Sequence, residues 1–462
     1  MYTYQDYEQD ISRGSVIEAV KNVIARYKET EMYKVAKDAA EYAKSKNVTI
    51  MEYQKFLYTE IGERIPDEYS ACYKIPSRFF DIFITQEVQY LLGNGITWDN
   101  PKTIEKKFGK KFYKMVKKAA RQALIGAVSY SFYNMDHIDV FGADEYAPVW
   151  DEYDGTLRVG VRFWQIDKYK PVEVTLFEED GYTLIELNNG RDDTPDRIVK
   201  EKRPYKVTIS RSQAEGEWIS GTSNYSALPV VPLWANENKQ SEIVGIREGI
   251  DCYDLIKSGF ASDVDEASLI YWIIQNAGGM SDMDIKKFLS KLRTLHAAAV
   301  QDESHAESHT VDVPYASRES ILERVKRDLY RDAMALDVEN ITGGAITATQ
   351  IKAAYEALNE KTDGFETNVT DYLEQLCQLA GIEENPTYTR STIVNKTEDA
   401  QLVLQAAQFL PPEYIIEKLL TILGDADKVE DILNQLEEQK MQQMYEQEAM
   451  MQEEEETNEE EG

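Results

Sequence analysis

The sequence has little of what an active site or a membrane span is made from. Its three cysteines, Cys72, Cys252 and Cys377, stand far apart in 462 residues. An odd, scattered set excludes a disulfide framework and reads as buried thiols in a reducing compartment. No apolar run reaches the roughly 18 residues that a membrane helix needs. The first residues, MYTYQDYEQDISRGS, lack the apolar stretch of a signal peptide, so the chain is expected to be made and used in a cytoplasm. There is no GxxxxGK[ST] loop to cradle phosphates, which excludes a P-loop motor. Gly93-Asn94-Gly95 follows a helical pattern rather than a strand and lacks the third glycine of a dinucleotide fingerprint. Neither GxSxG nor HExxH is present. Positive charge is scarce too: 51 Lys and Arg against 83 Asp and Glu give a formal net charge of −32. A chain so acidic does not coat nucleic acid by neutralising phosphates, although it can surround DNA without sticking to it.

What is there is enough for about three domains' worth of core and a heavily charged surface. Residues 15–44 repeat apolar positions at helical spacing, with Val16, Val20, Val23, Ile24 and Tyr27 on one side. A second helix follows Pro76, rich in aromatics, and ends where Gly93 and Gly95 supply positive-φ positions. A third is expected over 102–128. From about 130 to 235 the texture changes to short alternating runs, such as LRVGVRFWQI (157–166) and PVEVTLFEE (171–179). Turn clusters at 151–155, 178–181 and 188–196 separate them, which makes a β-rich subdomain. Past Pro229 and Pro232, Ile243, Ile246, Ile250, Tyr253, Phe260 and Val264 restore the helical rhythm with one break at Lys257. LIYWIIQ (269–275) then reads as a strand, DMDIKKFLSKL (282–292) as a short helix, and HAAAVQD (296–302) and HTVDVPY (309–315) as two strands. A second long helix is expected over 317–337. After Gly343-Gly344 a capping box, Thr347 to Gln350, opens a helix to about 380. Another begins near Asn395–Glu398 with the same spacing. Pro411-Pro412 interrupt it and a further helix runs to Gly424. The Glu-rich end is a like-charge block and is expected to be disordered.

The clusters that resemble chemistry have plainer readings. His305 and His309 stand four apart, which suits zinc on a helix, but QDESHAESHT is a polar turn with no cysteine nearby and reads as a hairpin tip. Asp144, Glu145, Asp151, Glu152 and Asp154 lack EF-hand spacing and are interrupted by Tyr and Trp, so they read as turn residues. The one dense basic run is Lys102, Lys106, Lys107, Lys110, Lys111, Lys114, Lys117, Lys118 and Arg121. Ile104, Phe108, Phe112, Met115 and Ala119 form its apolar stripe. The run reads as a solvated face first, as a contact for a neighbouring acidic surface second, and as a DNA contact last. No catalytic, cofactor or metal-ligating set emerges.

Four segments in fixed order carry more information than any motif: YLLGNGITW (90–98), GAVSYSFYNMDHIDVFGADEYAPVWDEYDG (126–155), PVVPLWANENKQSEIVGIREGIDCYDLIKSGFASDVDEA (229–267) and ENITGGAITATQIKAAYEAL (339–358). Together with a β-α-β-β insert between two long helices, this order resembles the portal proteins of tailed bacteriophages, of the SPP1-type siphophage class. The GGAITATQIK stretch (343–352) departs from the small-residue pattern common in relatives. The resemblance implies an α+β, mainly helical fold. It places a wing at 1–238 with its β-rich part at 130–235, stem helices at 239–265 and 316–338, a clip at 266–315, a tunnel loop at 339–346, a wing helix at 347–383 and a helical crown at 384–445. An acidic tail follows at 446–462. It implies that Glu339, Asn340, Ile341, Thr342, Gly343, Gly344 and Ala345 face DNA, and that Ile270, Trp272, Ile274, Lys287, His305 and His309 lie in the clip that meets terminase and adaptor. It further implies a homo-oligomeric twelvefold ring at one capsid vertex of the virion, assembled in the host cytoplasm. Its partners would be the terminase large subunit, a head-completion adaptor, scaffold and major capsid protein, with double-stranded DNA passing without sequence specificity. No enzyme activity, cofactor or membrane is implied. The competing classes are a phage-head enzyme, nuclease or ADP-ribosyltransferase, and a monomeric helical adaptor or scaffold. Assay of phosphodiesterase or transferase activity separates the first, and mass in solution the second.

Overall fold

The computed structural model describes residues 2–58, 61–68, 70–190, 195–212, 216–267, 271–275, 305–309, 315–341, 348–391 and 396–423, with isolated positions between 281 and 287 and between 429 and 441. The chain divides into two compact units, Met1–Asp337 with Ala357–Ser391, and Val338–Glu356 with Thr392–Gly462. The architecture is α+β. The strand expected at 296–302, most of that at 309–315, the caps at Thr347 and Asn395, and the tail at 446–462 lie outside the described residues.

The first unit opens with α1 (Tyr4–Arg13), α2 (Val16–Glu29), α3 (Glu31–Ala43) and α4 (Val48–Glu52). The single helix expected over 15–44 is thus two. Thr30, at φ −67° and ψ 149°, ends α2, and its hydroxyl accepts the Tyr33 N–H at 3.3 Å to cap α3. A threonine that satisfies an orphan amide is worth more as a cap than inside a helix. The apolar stripe is as expected: Val20, Val23, Ile24 and Tyr27 are buried, and Val16 packs at their edge.

After the hairpin β1 (Phe56–Tyr58) and β2 (Arg64–Pro66), α5 (Phe79–Leu92) is apolar almost all round and correspondingly buried. Only Gly95 takes the positive φ expected there, at 96°, while Gly93 remains helical at −59°. β3 (Ile96–Trp98) follows, then α6 (Pro101–Phe108) and α7 (Phe112–Gly126). One helix was expected over 102–128. Gly109, at φ 74°, closes α6 after Asn100 and Pro101 have opened it, so the basic run lies on two helices.

The β-rich part begins where expected. β4 (Val128–Asn134) and β5 (His137–Gly142) form a hairpin. β6 (Tyr146–Trp150), β7 (Leu157–Trp164), β8 (Val172–Glu178), β9 (Gly181–Leu187) and β10 (Arg197–Arg203) form an antiparallel meander. β11 (Lys206–Ser212) and β12 (Gly216–Ser223) make a separate hairpin, and β13 (Val230–Trp234) returns to pair with β4 from Val230↔Phe132 to Trp234↔Val128. One face of the meander packs on α2, where Val149, Val161, Val174, Leu176 and Ile185 alternate inward at strand spacing. A second core gathers α3, α5, α7, β4, β5 and β13.

Next come α8 (Arg247–Ala267), β14 (Tyr271–Gln275), β15 (His305–His309) and α9 (Tyr315–Asp332). α10 (Val338–Ile341) is a single turn, and α11 (Ala348–Ala380) spans 33 residues through the boundary between the units. β16 (Pro386–Tyr388) pairs with β3. In the second unit, α12 (Lys396–Ala406) and α13 (Pro412–Leu423) pack together, divided at Pro411-Pro412 as expected, with Pro412 at the first helical position.

Candidate functional site: a helix pair and its insertion

α8 and α9 run antiparallel. Gly249 faces Leu329, and a Cβ added there would meet Leu329 Cδ2 at 2.8 Å. Farther along, the Phe260 and Tyr315 rings meet edge-on at 5.4 Å, and Arg318 pairs with Asp263. Both helices are shorter than the sequence suggests. Residues 241–246 are not helical: the Glu242 N–H donates to Leu124 O at 3.0 Å, the Ser241 hydroxyl to Ile125 O, and Gly245 sits at φ 91°. These bonds hold the segment against the end of α7, so α8 starts at Arg247 instead of near 239. α9 stops at Asp332 because Met334 takes a left-handed φ of 53°. The Met334 N–H bonds Arg331 O at 3.0 Å and the Ala335 N–H bonds Tyr330 O at 2.9 Å, a Schellman closure with methionine where glycine is usual. The Gln86 side chain then clamps Leu336 through both backbone groups, at 2.9 Å each.

α8 is tethered by a ladder that the sequence reading missed. Asp254, Ser258 and Ser262, spaced by four, all lie on one helix face and are buried. Asp254 accepts the Ser77 N–H at 2.8 Å and the Asn47 side-chain amide, Ser258 the Ile75 N–H at 3.0 Å, and Ser262 the Tyr73 N–H at 3.0 Å. An extended stretch, 73–77, thus lies along the helix with its amides satisfied by side chains. Burial pushes the Asp254 carboxyl above its ordinary value, against the bonds from Asn47 and Ser77 that favour its charge. The available signal was the small polar residues recurring every four positions along one helix.

A buried charge cluster lies near the base of the pair. Lys361 of α11 places its ammonium 2.9 Å from Glu87 Oε2 of α5 and 2.7 Å from Glu242 Oε2, and it donates to Ala333 O at 3.2 Å. The Glu87 side chain is 2% exposed. Its Oε2 has the ion contact but no aligned hydrogen bond. Burial raises the Glu87 carboxyl to about 7. Lys361 opposes this and the second carboxylate, Glu242, adds to it. Burial also works against the Lys361 charge, but Glu87 and Glu242 outweigh it and hold the ammonium above its ordinary value. One cation thus joins α5, α11 and the segments that precede α8 and follow α9.

Between α8 and α9, β14 and β15 pair antiparallel from Tyr271↔His309 to Gln275↔His305. Trp272 and Ile274 are residues of β14. His305 and His309 are strand residues rather than the expected hairpin tip. Four residues apart on a strand they lie about 13 Å apart, too far to share one ion. Lys287 is exposed at a helical position, and Ile270 lies outside the described residues. After α9, Glu339, Asn340 and Ile341 belong to the turn of α10 instead of a loop, and Thr342, Gly343, Gly344 and Ala345 lie outside the described residues.

The acidic cluster is turn chemistry. Asp151 accepts the Tyr153 N–H, Asp154 accepts the Thr156 N–H, and Arg158 pairs with both carboxylates. Asp144 and Glu145 sit between β5 and β6, where burial raises both. Among the described residues no three His, Cys, Asp or Glu side chains are grouped to hold a metal, and no helix is long and apolar enough to cross a membrane. The cysteines are corrected: only Cys377 is buried, Cys72 is half-buried and Cys252 exposed.

The family described as "Phage portal protein, SPP1 Gp6-like" matches this chain over residues 15–444. The chain is 23% identical over 403 residues to the portal protein of Clostridium phage phiCD119, covering 80% of this chain and 85% of that one. It is 22% identical over 389 residues to the portal protein of Bacillus phage SPP1, covering 75% and 73%. Among solved structures, a chain of the "Virion of native gene transfer agent (GTA) particle" aligns with TM-score 0.45 and 12% identity, over 74% of this chain and 89% of that one. A chain of the "Neck of native GTA particle computed with C12 symmetry" aligns with TM-score 0.39 and 12% identity over the same shares. With the family match running through both compact units, the chain belongs to the phage portal proteins of the SPP1 Gp6-like family.

Proposed function

We propose that copies of this chain close into a ring of about twelve at one capsid vertex and form the conduit through which double-stranded DNA is packaged and ejected. In this reading residues 1–238 and the helix at 347–383 are the wing, 239–265 and 316–338 (with α8 and α9) the stem, 266–315 the clip, 339–346 the tunnel loop, 384–445 the crown and 446–462 an acidic tail. The clip, with Ile270, Trp272, Ile274, Lys287, His305 and His309, meets the terminase large subunit during filling and a head-completion adaptor afterwards. Scaffold and major capsid protein surround the wing. Residues Glu339 to Ala345 face the DNA. The ring is assembled in the host cytoplasm, resides in the virion and carries out no catalysis.

The observation that carries this reading is the apolar surface that the helix pair leaves exposed among the described residues. Val264 and Ile321 are 42% and 47% exposed, and Leu255, Ile256, Leu322 and Val325 on the same helices are only half-buried. A heterologous contact that repeats by rotation covers such a surface in every copy. The net charge of −32 suits a channel wall that repels phosphate and lets duplex DNA slide without sequence preference. Light scattering after size exclusion, with negative-stain imaging, is expected to show closed rings of about twelve subunits. A monodisperse monomer at micromolar concentration would sink the reading.

A further inference from the structure

The basic run and α11 carry complementary charge that the described residues only partly satisfy. Residues 102–121 hold nine basic side chains and a single carboxylate, Glu105, in a protein of net charge −32. Several are engaged. Lys107 donates to Ala380 O at 2.8 Å, Lys118 to Val140 O at 3.0 Å, and Arg121 pairs with Asp81 at 2.5 Å. Lys117 reaches Gln89 at 3.4 Å. Lys110 lies 3.8 Å from Glu105, a loose pair. Lys102, Lys106, Lys111 and Lys114 are exposed and hold no ion pair among the described residues. The same two helices, α6 and α7, wall a shallow groove of about 350 Å³, lined by Lys110 and Glu105 and by the apolar Trp98, Ile104 and Phe112. An apolar floor with a charged rim is the anatomy of a protein interface and offers little to a duplex backbone.

The complement is on α11. Glu360, Asp363, Thr367, Asp371 and Glu374 are exposed and recur at three- and four-residue spacing, hence on one face. Asp363 pairs with Arg390. Among the described residues, Glu360, Asp371 and Glu374 have no cation partner. Like charges stacked three and four apart weaken a helix unless something outside neutralises them.

We propose that the lysine-bearing face of α6 and α7 docks on the acidic stripe of α11 in a second copy of this chain. The contact is heterologous: each copy offers the basic face to one neighbour and the acidic stripe to the other. It rests on the ring reading and names the surfaces that hold the ring. Strongly acidic copies repel one another over roughly a Debye length, about 8 Å at physiological salt. Concentrating exposed lysines opposite a carboxylate row turns that repulsion into attraction at one place and fixes the direction of docking.

The test is a charge swap in the full-length chain, read by native mass spectrometry and light scattering, with circular dichroism reporting that each variant is folded. K106E/K111E/K114E and, separately, E360K/D371K/E374K are each expected to raise the protein concentration needed for assembly at least about tenfold. The six-fold combination is expected to restore assembly, and wild-type rings are expected to weaken at high salt. Either triple variant assembling as wild type overturns the proposal. So does a combination that stays dissociated while both triples are folded. If the lysine variant assembles normally but loses binding to a short DNA duplex, the face belongs to nucleic acid instead. A wild-type chain that is monomeric at every salt concentration overturns the ring reading itself, whereas rings that ignore the swap overturn only this contact.

Discussion

Replacing Lys361 with methionine tests whether the buried charge cluster holds the base of the helix pair together. The substitution keeps most of the side-chain volume and removes only the ammonium. Glu87 and Glu242, both within 3 Å of that nitrogen in the native fold, are left facing each other, and Ala333 O loses its donor. Removing one partner of a buried ion pair costs about 3–5 kcal/mol. The loss should depend on pH, and its sign follows from Glu87. The folded state holds this carboxyl at about 7, above its ordinary value, so the folded protein keeps a proton that the unfolded chain has already released. Stability from this group is therefore present at low pH, falls as pH rises from the ordinary carboxylate value to about 7, and is flat above it. Without Lys361 the carboxyl rises further and the window extends upward, so the gap between variant and wild type widens with pH. The expected loss is about 4 kcal/mol near pH 8 and about 2 kcal/mol near pH 5.5, where protonation relieves the repulsion. Glu87→Gln should be nearly neutral near pH 8 and, added to Lys361→Met, should recover about half the loss. Urea unfolding followed by tryptophan fluorescence at both pH values gives the comparison. Equal losses at the two pH values, or a Glu87→Gln loss as large as that of Lys361→Met, would refute the reasoning.

Two further substitutions probe the frame around the pair. Asp254→Ala leaves the Ser77 N–H and one hydrogen of the Asn47 amide, whose other bond to Ser77 O remains, unpaired in the interior. A loss of about 3 kcal/mol is expected, against about 1 kcal/mol for Ser258→Ala. Hydrogen exchange at residues 73–77 should accelerate with both, and unchanged protection there would mean the ladder is not what orders that stretch. Gly160→Ala in β7 puts a Cβ 1.6 Å from the Tyr146 hydroxyl. Tyr146 is fully buried and stacked on Tyr130 at 4.3 Å, so it has no room to yield. A drop of about 2–3 kcal/mol in the unfolding free energy is expected, and a thermal midpoint equal to wild type counts against the packing described.

The sequence made local structure legible wherever a short window contained its cause. The apolar α5, the alternation of β7 to β9 and the proline break before α13 are set by neighbours a few residues away, and each lies where the pattern places it. Element ends were less legible. Thr30 and Gly109 divide helices that periodicity alone joins, because a cap or a left-handed turn competes with a pattern that continues across it. Met334 ends α9 in a conformation that methionine seldom adopts, held there by Gln86 from α5, a partner no local window contains.

The same limit explains which parts of the candidate site stayed hidden. Glu87 is the one charged residue in the second half of an otherwise apolar helix, and on an isolated helix it reads as a polar outlier facing water. Only the packed chain shows it buried against Lys361. A carboxylate placed there without its lysine would be excluded from the core by its desolvation cost. The lysine in turn lies on a helix whose opposite face carries Glu360, Asp371 and Glu374 toward solvent. α11 therefore holds its one deeply buried cation inward and its row of exposed carboxylates outward. If both contacts form as described, one rigid helix joins the base of the α8–α9 pair within its own subunit to the lysine-bearing face of the next. A shift at the helix pair in one copy then has a direct mechanical route to its neighbour.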